Sequence, residues 1–598
     1  MRLSKLYSNK PEQFAPVKFN LGLNVVLEEI GIPENMKQDA HTLGKTILGR
    51  LLDFAFLSRR DLKAFPYAQA EKLTEFVFFL EIELADSTFV TIRREVANPS
   101  KVSFKTCRLG DQDFTDLPQQ DWNHWQVDFD RAETLLDGIL NWGALKPWLF
   151  RSELAYLLRS QDVFRDVFKL IKSDTKLMDW QPFLAHVLGF NGSFFEDYFN
   201  KKVELESKLE EEKDLKKRFG GSAEDISKLD GIIFLKNADA EKKKRFLDDF
   251  DFKYADLEKT KRLVEETDVR IAALESERHA LICNKSRIEK SLKEAAPAFD
   301  VKAAEAVLAE SRVYFTELAK NELSLLVEFN RQMTDERRTY LEADLEEICA
   351  RLEAVNRELE VLREERARSV SFLTDTDDFE IYKAVSEELI ALREDIAGLE
   401  SQKADLQKLQ KVRNDIRALR DDCNVCQQKI EADIEAQSAD PASCFSKIRL
   451  FFNEIVEEVI NRKALLSVVL GSTGHPEFSA QLLDDYGSGT SADLGHSYRK
   501  LLCIAFDMAV LRAHLEDEFP RFVFHDGVFE SLDDRKKVSL MTVIRRYADY
   551  GIQPVLTMID SDMPSGVAES SEFVRPEEVV LRLHDESEEG RLFRMSAW

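Results

Sequence analysis

The segment LEADLEEICARLEAVNRELEVL, residues 341–362, decides the architecture of this 598-residue chain. Its apolar residues advance alternately by four and three positions: Leu341, Leu345, Ile348, Leu352, Val355, Leu359 and Leu362. This spacing places the side chains on one stripe of a helix and predicts the seam of a left-handed coiled coil. Related repeats occur at Leu257, Val264 and Ile271, at Leu274, Leu281 and Ile288, and at Leu389, Leu392, Ile396 and Leu399.

The predicted arm covers residues 201–444, where Glu, Lys, Arg, Leu and Ala dominate and Pro and Gly are almost absent. Helix-ending Gly, Pro or Asp residues interrupt it near 219–225, 294–300 and 370–379. A returning chain needs a turn at its tip, and Pro297 best balances the outgoing and returning lengths. We therefore expect an antiparallel coiled coil whose helices stop and restart.

The flanking regions, 1–200 and 445–598, are typical of α/β lobes. The first contains a buried-strand pattern, LNVVL, and a hairpin pattern, FVFFLEIELADSTFVTIRREV. The second alternates the strand patterns ALLSVVL, RFVFHD and QPVLTMID with the apolar helix YRKLLCIAFDMAVLRAHL. Because an antiparallel arm brings its ends together, the two lobes can build one sheet.

Composition narrows the class of protein. No apolar run approaches the roughly 18 to 20 residues that span a membrane, and the N-terminal stretch lacks the apolar core of a signal peptide, so we expect a cytoplasmic location. The seven scattered cysteines indicate reduced thiols. A net charge of -27 counts against a uniformly basic DNA-coating protein. Candidates for a local basic surface are Arg59, Arg60 and Lys63, or Arg93 and Arg94, with solvated surface charge as the alternative.

A phosphate-binding pattern lies in DAHTLGKTILGRLLDF, residues 39–54. Gly44, Lys45 and Thr46 follow a predicted strand and open an amphipathic helix, where backbone N–H groups, a lysine and a hydroxyl hold phosphate and magnesium. Asp39 stands where the motif has its first glycine. The pattern predicts an altered phosphate loop.

A matching half lies near the other end of the chain, in RFVFHDGVFESLDD, residues 521–534. An apolar strand ends there in Asp526, as expected for an aspartate that reaches magnesium, and Asp533 follows seven residues later. The two halves together predict a site for ATP and Mg²⁺, with Thr46 and Asp526 on the metal side.

These motifs resemble ABC-type ATPases of the SMC and RecN kind, and VKFNLGLNVVL is similar to the strand–turn–strand that precedes their phosphate loop. More closely, KLYSNKP, DAHTLGKT, FHDGVFESLDDRKK and QPVLTMIDSDMP resemble the YydD-like branch, found among bacterial ABC-three-component (Lamassu-like) conflict systems. The resemblance covers essentially the whole chain. It implies an α/β ABC-type ATPase head assembled from N- and C-terminal lobes and split by a long antiparallel α-helical coiled coil.

The resemblance also implies roles for individual residues. Gly44 and Lys45 would hold the phosphates, and Thr46 and Asp526 the magnesium. Gln161 would sense the magnesium and the attacking water, although any glutamine at a helix end has the same local pattern.

Two further segments would face a second subunit. Leu494, Gly495 and Ser497 occupy the position of the signature, although Gly495, His496 and Ser497 replace its usual serine and glycines. Leu532 and Asp533 would form the loop that contacts the partner.

Two departures from the family pattern bear on hydrolysis. Gly527 stands where a water-polarising glutamate normally follows the magnesium aspartate, and Ile559 and Asp560 replace the histidine after the last core strand. His525 and Glu530 are the candidate substitutes, the alternative being that His525 packs at a strand end and Glu530 is solvated. We therefore expect ATP binding with slow hydrolysis.

Cys423 and Cys426 have the spacing of half a zinc site. Fewer than thirty residues separate them from the C-terminal lobe, which at about 1.5 Å per residue span only about 40 Å, too little for a metal hook at an arm tip. We favour buried coiled-coil thiols over zinc ligands.

The resemblance implies an ATP-binding protein that forms a homodimer through its heads and engages double-stranded DNA. It further implies a small middle component and an effector enzyme as partners, no membrane partner, and a role in antiphage or antiplasmid defence. Two alternatives stay open: a housekeeping DNA-repair or chromosome-structure ATPase, and a coiled-coil scaffold with a degenerate nucleotide site. No nuclease motif is present in the sequence.

Overall fold

The structure, a computed structural model, describes residues 1–30, 43–170, 176–219, 223–249, 255–294, 317–371, 377–471, 474–484, 489, 495–564 and 573–595. They form two compact units: the head, Met1–Lys202 with Asp421–Trp598, and the arm, Val203–Arg420. Among the described helices, none combines the length and the apolar character needed to cross a membrane.

The strands are β1 (Arg2–Ser8), β2 (Val17–Lys18), β3 (Asn24–Glu29), β4 (Val77–Glu83), β5 (Phe89–Glu95), β6 (Lys101–Cys107), β7 (His124–Asp128), β8 (Leu158–Arg159), β9 (Ala464–Leu470), β10 (Pro476–Leu482), β11 (Phe522–His525), β12 (Gln553–Ile559) and β13 (Val579–His584). The α-helices are α1 (Lys45–Ala55), α2 (Ala70–Leu73), α3 (Phe129–Leu140), α4 (Phe150–Leu157), α5 (Gln181–Val187), α6 (Gly192–Phe219), α7 (Ala223–Asp248), α8 (Ala255–Glu294), α9 (Glu317–Ser371), α10 (Asp377–Ala439), α11 (Cys444–Ile460), α12 (His496–Ala513) and α13 (Asp534–Asp549).

The core of the head is a five-stranded parallel sheet in the order β13-β3-β12-β11-β8. Strands β3 and β8 come from the N-terminal lobe, and the other three come from the C-terminal lobe. The central strands β3, β12 and β11 are buried along almost their whole length, because a parallel sheet is covered on both faces. The prediction that both lobes build one sheet is confirmed.

A second sheet of the head is antiparallel, in the order β2-β1-β4-β5-β6-β7. Its β4–β5 pair is the predicted hairpin, with Val77 opposite Glu95 and Glu83 opposite Phe89. Both faces of β4 are covered, since the five consecutive residues from Phe78 to Ile82 are buried. Helix α1 packs against β4 and β5 of this sheet and also against β8 of the parallel sheet, so this helix lies where the two sheets meet.

The arm confirms the predicted coiled coil. Val355, Leu359 and Leu362 of α9 bury their side chains against Ile271 of α8, and Leu389 and Ile396 of α10 belong to a second apolar cluster with α7 and α8.

Ion pairs along the arm fix the direction of its helices. Arg366 contacts Asp268 at 2.6 Å, whereas Arg351, earlier in α9, contacts Glu277, later in α8, at 2.7 Å. Because rising numbers on one helix meet falling numbers on the other, the helices are antiparallel. The chain therefore reverses between α8 and α9, and the tip predicted at Pro297 lies outside the described residues.

The helix ends show one interruption that the sequence did not suggest. Helices end at Phe219, Glu294 and Ser371, within the three predicted stretches. A further boundary separates Asp248 from Ala255. The intervening DFDFKY, residues 249–254, carries no Gly or Pro.

Candidate nucleotide-binding site

Helix α1 begins directly after Gly44, whose φ of 117° lies in the left-handed region that favours glycine. A Cβ at this position would lie 2.6 Å from the Cβ of Leu592, so both the backbone conformation and the space require glycine. Among the described residues, no side chain caps the N-terminus of α1, so its first backbone N–H groups can face an anion. Asp39 lies outside the described residues.

The two predicted halves of the site meet directly. The Thr46 hydroxyl donates a hydrogen bond to Asp526 Oδ2 at 2.7 Å, across 480 residues of sequence. The other carboxylate oxygen, Oδ1, accepts from the Thr557 hydroxyl at 2.5 Å. Thr557 Oγ1 in turn accepts from the Gly527 N–H at 2.8 Å. Asp526 is fully buried, so β12 fixes both its carboxylate and the backbone that follows it.

Lys45 is buried, and its ammonium group faces two carboxylates. Its Nζ lies 3.3 Å from Glu28 and 3.7 Å from Glu530. Both carboxylate oxygens of Glu28 are buried and, within the part of the chain that the structure describes, accept no hydrogen bond besides the ion pair with Lys45. Burial raises the Glu28 pKa to about 7, against the opposing effect of Lys45. Lys45 can therefore release these carboxylates and bind another anion in their place.

Glu530 is the second carboxylate of the site and joins several of its parts. Besides Lys45, it contacts the Lys500 ammonium group at 3.3 Å and accepts a hydrogen bond from the Gln161 side-chain amide. Lys500 also donates to the Gly527 carbonyl at 2.8 Å. About a fifth of the Glu530 side chain remains exposed, at 21%. The structure thus brings Gln161 and Glu530 together beside Lys45.

The geometry at Gly527 explains why glutamate is absent there. Its φ is 67°, in the left-handed region, and an added Cβ would lie 2.8 Å from a Glu530 carboxylate oxygen. A side chain at this position would be strained and would collide with Glu530. The carboxylate of Glu530 therefore lies in the space next to Gly527.

His525 lies on the other side of its strand from Asp526, as consecutive strand residues do. Its Nε2 is 2.9 Å from Asp507, which also forms a bidentate pair with Arg159 at 2.6 and 2.7 Å. All three residues are buried. Arg159 also donates to the carbonyls of Val163, Asp166 and Val167, so the network supports the loop after Gln161. This placement matches the alternative in which His525 packs at a strand end.

The predicted signature segment is described from Gly495 onward, and Leu494 lies outside the described residues. Gly495 is the N-cap of α12, and the Ser497 hydroxyl donates to the Ser531 carbonyl at 2.9 Å. Asp533 follows, caps α13 and pairs with Lys536 at 2.7 Å, which lowers the Asp533 pKa. The signature segment and the loop before α13 are therefore adjacent within one chain. Leu532 is buried.

Of the second pair of residues proposed for a basic surface, Arg94 lies in the interior and Arg93 is partly exposed. Arg94 is buried and donates to the carbonyl of Ser58 at 2.8 Å and to the Tyr67 hydroxyl at 3.2 Å, so its assignment to a DNA-binding surface is wrong. Arg93 pairs with Glu95 at 2.6 Å. Burial lowers the Arg94 pKa to about 10.

The exposed members of the first basic group are Arg59, Arg60 and Lys63. Arg59 and Arg60 line a cleft of about 390 Å³ beside the loop between β5 and β6, together with Phe129 and Asp130.

Cys423 and Cys426 lie one turn apart within α10. Cys423 is buried and Cys426 is partly exposed, and burial raises the pKa of both thiols.

Three residues of the site were not predicted from the sequence: Glu28, Lys500 and Thr557. Lys500 carries the strongest unused signal, because it opens the apolar run KLLCIAFDMAV with Asp507 as the only other charged residue. A charge within an apolar helix is rarely solvated and usually has a buried partner. Glu28 is the next-to-last residue of β3, and Thr557 lies within β12. Neither stands as an isolated charge in a long apolar helix.

Comparisons with known proteins place these features in context. A family model described as "Uncharacterised protein conserved in bacteria (DUF2326)" matches residues 455–597. No curated protein matches the chain.

Solved structures similar to the chain include SMC heads. The Smc head domain with a coiled coil and joint from Pyrococcus yayanosii is 14% identical, with 93% of this chain and 92% of that chain covered and a TM-score of 0.32. For the Smc head with an extended coiled coil bound to the C-terminal domain of ScpA, from Pyrococcus furiosus, the identity is 10%, the coverage 94% and 90%, and the TM-score 0.35. An SmcHead bound to the C-winged helix domain of ScpA is 17% identical, with 25% and 43% covered and a TM-score of 0.17.

The chain itself confirms the predicted architecture: an α/β head whose parallel sheet is built from the N- and C-terminal lobes, and an intervening antiparallel coiled coil.

Proposed function

We propose that this protein binds ATP with Mg²⁺ in the head and acts as a slow nucleotide-dependent switch. The observation that carries the proposal is the 2.7 Å hydrogen bond between Thr46 and Asp526, at the N-terminus of a helix opened by Gly44 and Lys45. A hydroxyl, a carboxylate, a lysine and free helix N–H groups are the set of ligands that magnesium-bound phosphates require.

Each residue has a distinct part in binding. The α1 N–H groups and Lys45 would hold phosphate oxygens, and Lys45 would leave Glu28 and Glu530 as it did so. Thr46 and Asp526, already oriented by Thr557, would hold the metal ion. When bound, Mg²⁺ neutralises charge on the phosphate oxygens and so supports cleavage of the terminal phosphate.

We propose Glu530 as the residue that polarises the attacking water, with Gln161 orienting it. Glu530 supplies a carboxylate next to the glycine that replaces the usual glutamate. Two lysines and an amide contact its carboxylate and hold it in place. Water activation would require Glu530 to release at least one of them, which accounts for slow turnover.

The partners are proposed on separate grounds. A homodimer through the heads would place the Gly495–Ser497 segment of one subunit against the nucleotide of the other, and ATP would thereby control association. For double-stranded DNA, the exposed Arg59, Arg60 and Lys63 are the contact surface that the head offers. The middle component, the effector enzyme and the role in antiphage or antiplasmid defence follow from the sequence resemblance alone.

Calorimetric titration with MgATP tests the proposal. Removing the Lys45 ammonium forfeits charge-assisted contacts worth about 1.5 to 3 kcal/mol, so Lys45→Ala should weaken binding by about tenfold to 150-fold. The double variant Lys45→Ala/Glu28→Gln should bind equally weakly, and it leaves no unpaired carboxylate to disturb folding. Lys63→Ala, which removes an exposed lysine of the same head, should bind like wild type.

The leading alternative is a scaffold whose nucleotide site is degenerate. The observation in its favour is that Lys45 is already paired internally with two carboxylates. Wild-type protein that is folded by circular dichroism but binds no MgATP would establish this alternative. A housekeeping role in DNA repair would instead leave binding intact and is distinguished by neighbouring genes, which should lack an effector enzyme.

A further inference from the structure

A Cys–His–Asp cluster lies in the head, outside the nucleotide site. Cys444 opens helix α11, and its Sγ is 3.4 Å from His514 Nε2, just beyond the end of α12. His514 Nδ1 is 2.8 Å from the Asp517 carboxylate, and Nε2 is also 2.8 Å from the Val187 carbonyl. A nucleophile, a base and an orienting carboxylate therefore lie within contact distance of one another.

The hydrogen bonds of His514 define its protonation. A backbone carbonyl and an ionised carboxylate can only accept, so each ring nitrogen must carry a hydrogen to satisfy its partner. The ring is then an imidazolium whose positive charge lies beside the Cys444 sulfur. Burial alone would lower the His514 pKa, but the contacts with Cys444, Val187 and Asp517 outweigh it and raise the pKa to about 9.

The surroundings of Cys444 add to this effect. Cys444 is the first residue of a 17-residue helix, where the helix dipole favours negative charge. The other titratable groups facing His514 are Glu153 from α4 and His186 from α5. Burial raises the Glu153 pKa to about 8 and lowers that of His186, so both favour the neutral form and neither cancels the imidazolium charge at neutral pH.

We propose that Cys444, at a helix N-terminus and in contact with His514, is a peroxide-reactive cysteine whose reacting form is the thiolate. The side chain is partly exposed, so a small oxidant can reach it. The thiolate attacks one oxygen of hydrogen peroxide, and an S–O bond forms as the O–O bond breaks. The sulfur loses two electrons and becomes a sulfenic acid, and the peroxide is reduced to hydroxide, which takes the His514 proton and leaves as water.

The location gives such a modification a structural consequence. A Cβ on Gly189, in the turn between α5 and α6, would lie 2.7 Å from the Cys444 Cβ. Cys444 therefore packs tightly against this turn, while His514 follows the helix that carries Lys500. Oxidation adds an oxygen atom to the sulfur at the point where α11, the end of α12 and the α5–α6 turn meet.

Cys283 provides a matched internal control. It is also partly exposed and lies 3.7 Å from a histidine ring, that of His279, but it belongs to the middle of α8. It therefore has a neighbouring histidine without a helix N-terminus.

The test is pulse alkylation of the full-length protein with iodoacetamide at pH 6.5, with each cysteine peptide quantified by mass spectrometry. The His514 ring and the helix N-terminus stabilise negative charge on the sulfur as it reacts, so Cys444 should react about fivefold faster than Cys283. Peroxide followed by a sulfenic-acid probe should label Cys444 first.

Two variants separate this proposal from simple exposure. His514→Gln should lower the Cys444 rate to that of Cys283, and Asp517→Asn, which changes a half-exposed side chain, should lower it without unfolding the head. Equal rates for Cys444 and Cys283 in the wild type, or a Cys444 rate unchanged in folded Asp517→Asn and His514→Gln, would overturn the proposal.

Discussion

Two carboxylates four residues apart are held in opposite ways. Asp526 is buried and accepts hydrogen bonds from Thr46 and Thr557, whereas Glu530 is partly exposed and rests between Lys45 and Lys500. The first arrangement is built in advance for binding. The second has to change before Glu530 can act on water. The difference indicates that this head is organised to bind nucleotide more readily than to hydrolyse it.

The largest expected effect comes from Glu530→Gln. The amide keeps the size of the side chain but cannot act as a base, so ATP turnover should fall by at least about 100-fold. MgATP affinity should stay within about threefold, since the Asp526 half is untouched. Phosphate release and calorimetry measure the two quantities. An unchanged turnover would show that Glu530 does not activate water, and it would contradict the proposed difference between the two carboxylates.

Lys500→Gln should have a smaller effect on the same half of the site. Lys500 contacts both Glu530 and the Gly527 carbonyl. Its loss should lower ATP turnover by about tenfold, because Glu530 is then misplaced. The affinity for MgATP should be preserved. Lys536→Gln is the control, because Lys536 pairs with Asp533 outside this cluster. If Lys500→Gln abolished MgATP binding instead, nucleotide binding on the Asp526 side would depend on the Glu530 side, which would contradict the difference between the two carboxylates.

The smallest effect concerns Glu28 and pH. Its pKa is raised to about 7 by burial, so Glu28 ionises as the pH rises from 6 to 8 and then competes with phosphate for Lys45. Wild-type affinity for MgATP should therefore weaken by about threefold to tenfold over this range. In the Glu28→Gln variant, the affinity for MgATP should keep only the pH dependence that ATP itself causes. Identical pH profiles for the two proteins would contradict the competition.

The sequence predicts the fold well, because the features that specify it are periodic. The heptad seam, the β4–β5 hairpin and the apolar strands β3, β11 and β12 each carry their own local pattern. The contact of Thr46 with Asp526 was also predicted, since two incomplete motifs at opposite ends of a chain have meaning only when joined.

Other features depend on tertiary surroundings that local patterns do not record. Arg94 is adjacent to Arg93 in a strand, yet alternation turns it into the interior, where carbonyls satisfy it. Lys500 and Glu28 are charged residues that fold inward to form the site. The cluster of Cys444, His514 and Asp517 joins separate elements of the fold, so no motif in the sequence predicts it.

The measurement that tests the account most directly is a double-mutant cycle in MgATP affinity between Thr46→Val and Asp526→Asn. If both residues serve one metal ion, the double variant should bind about as weakly as the weaker single variant, with a coupling of about 1 to 2 kcal/mol. Independent, additive effects, or no effect of either variant, would contradict a shared magnesium site built from the two ends of the chain.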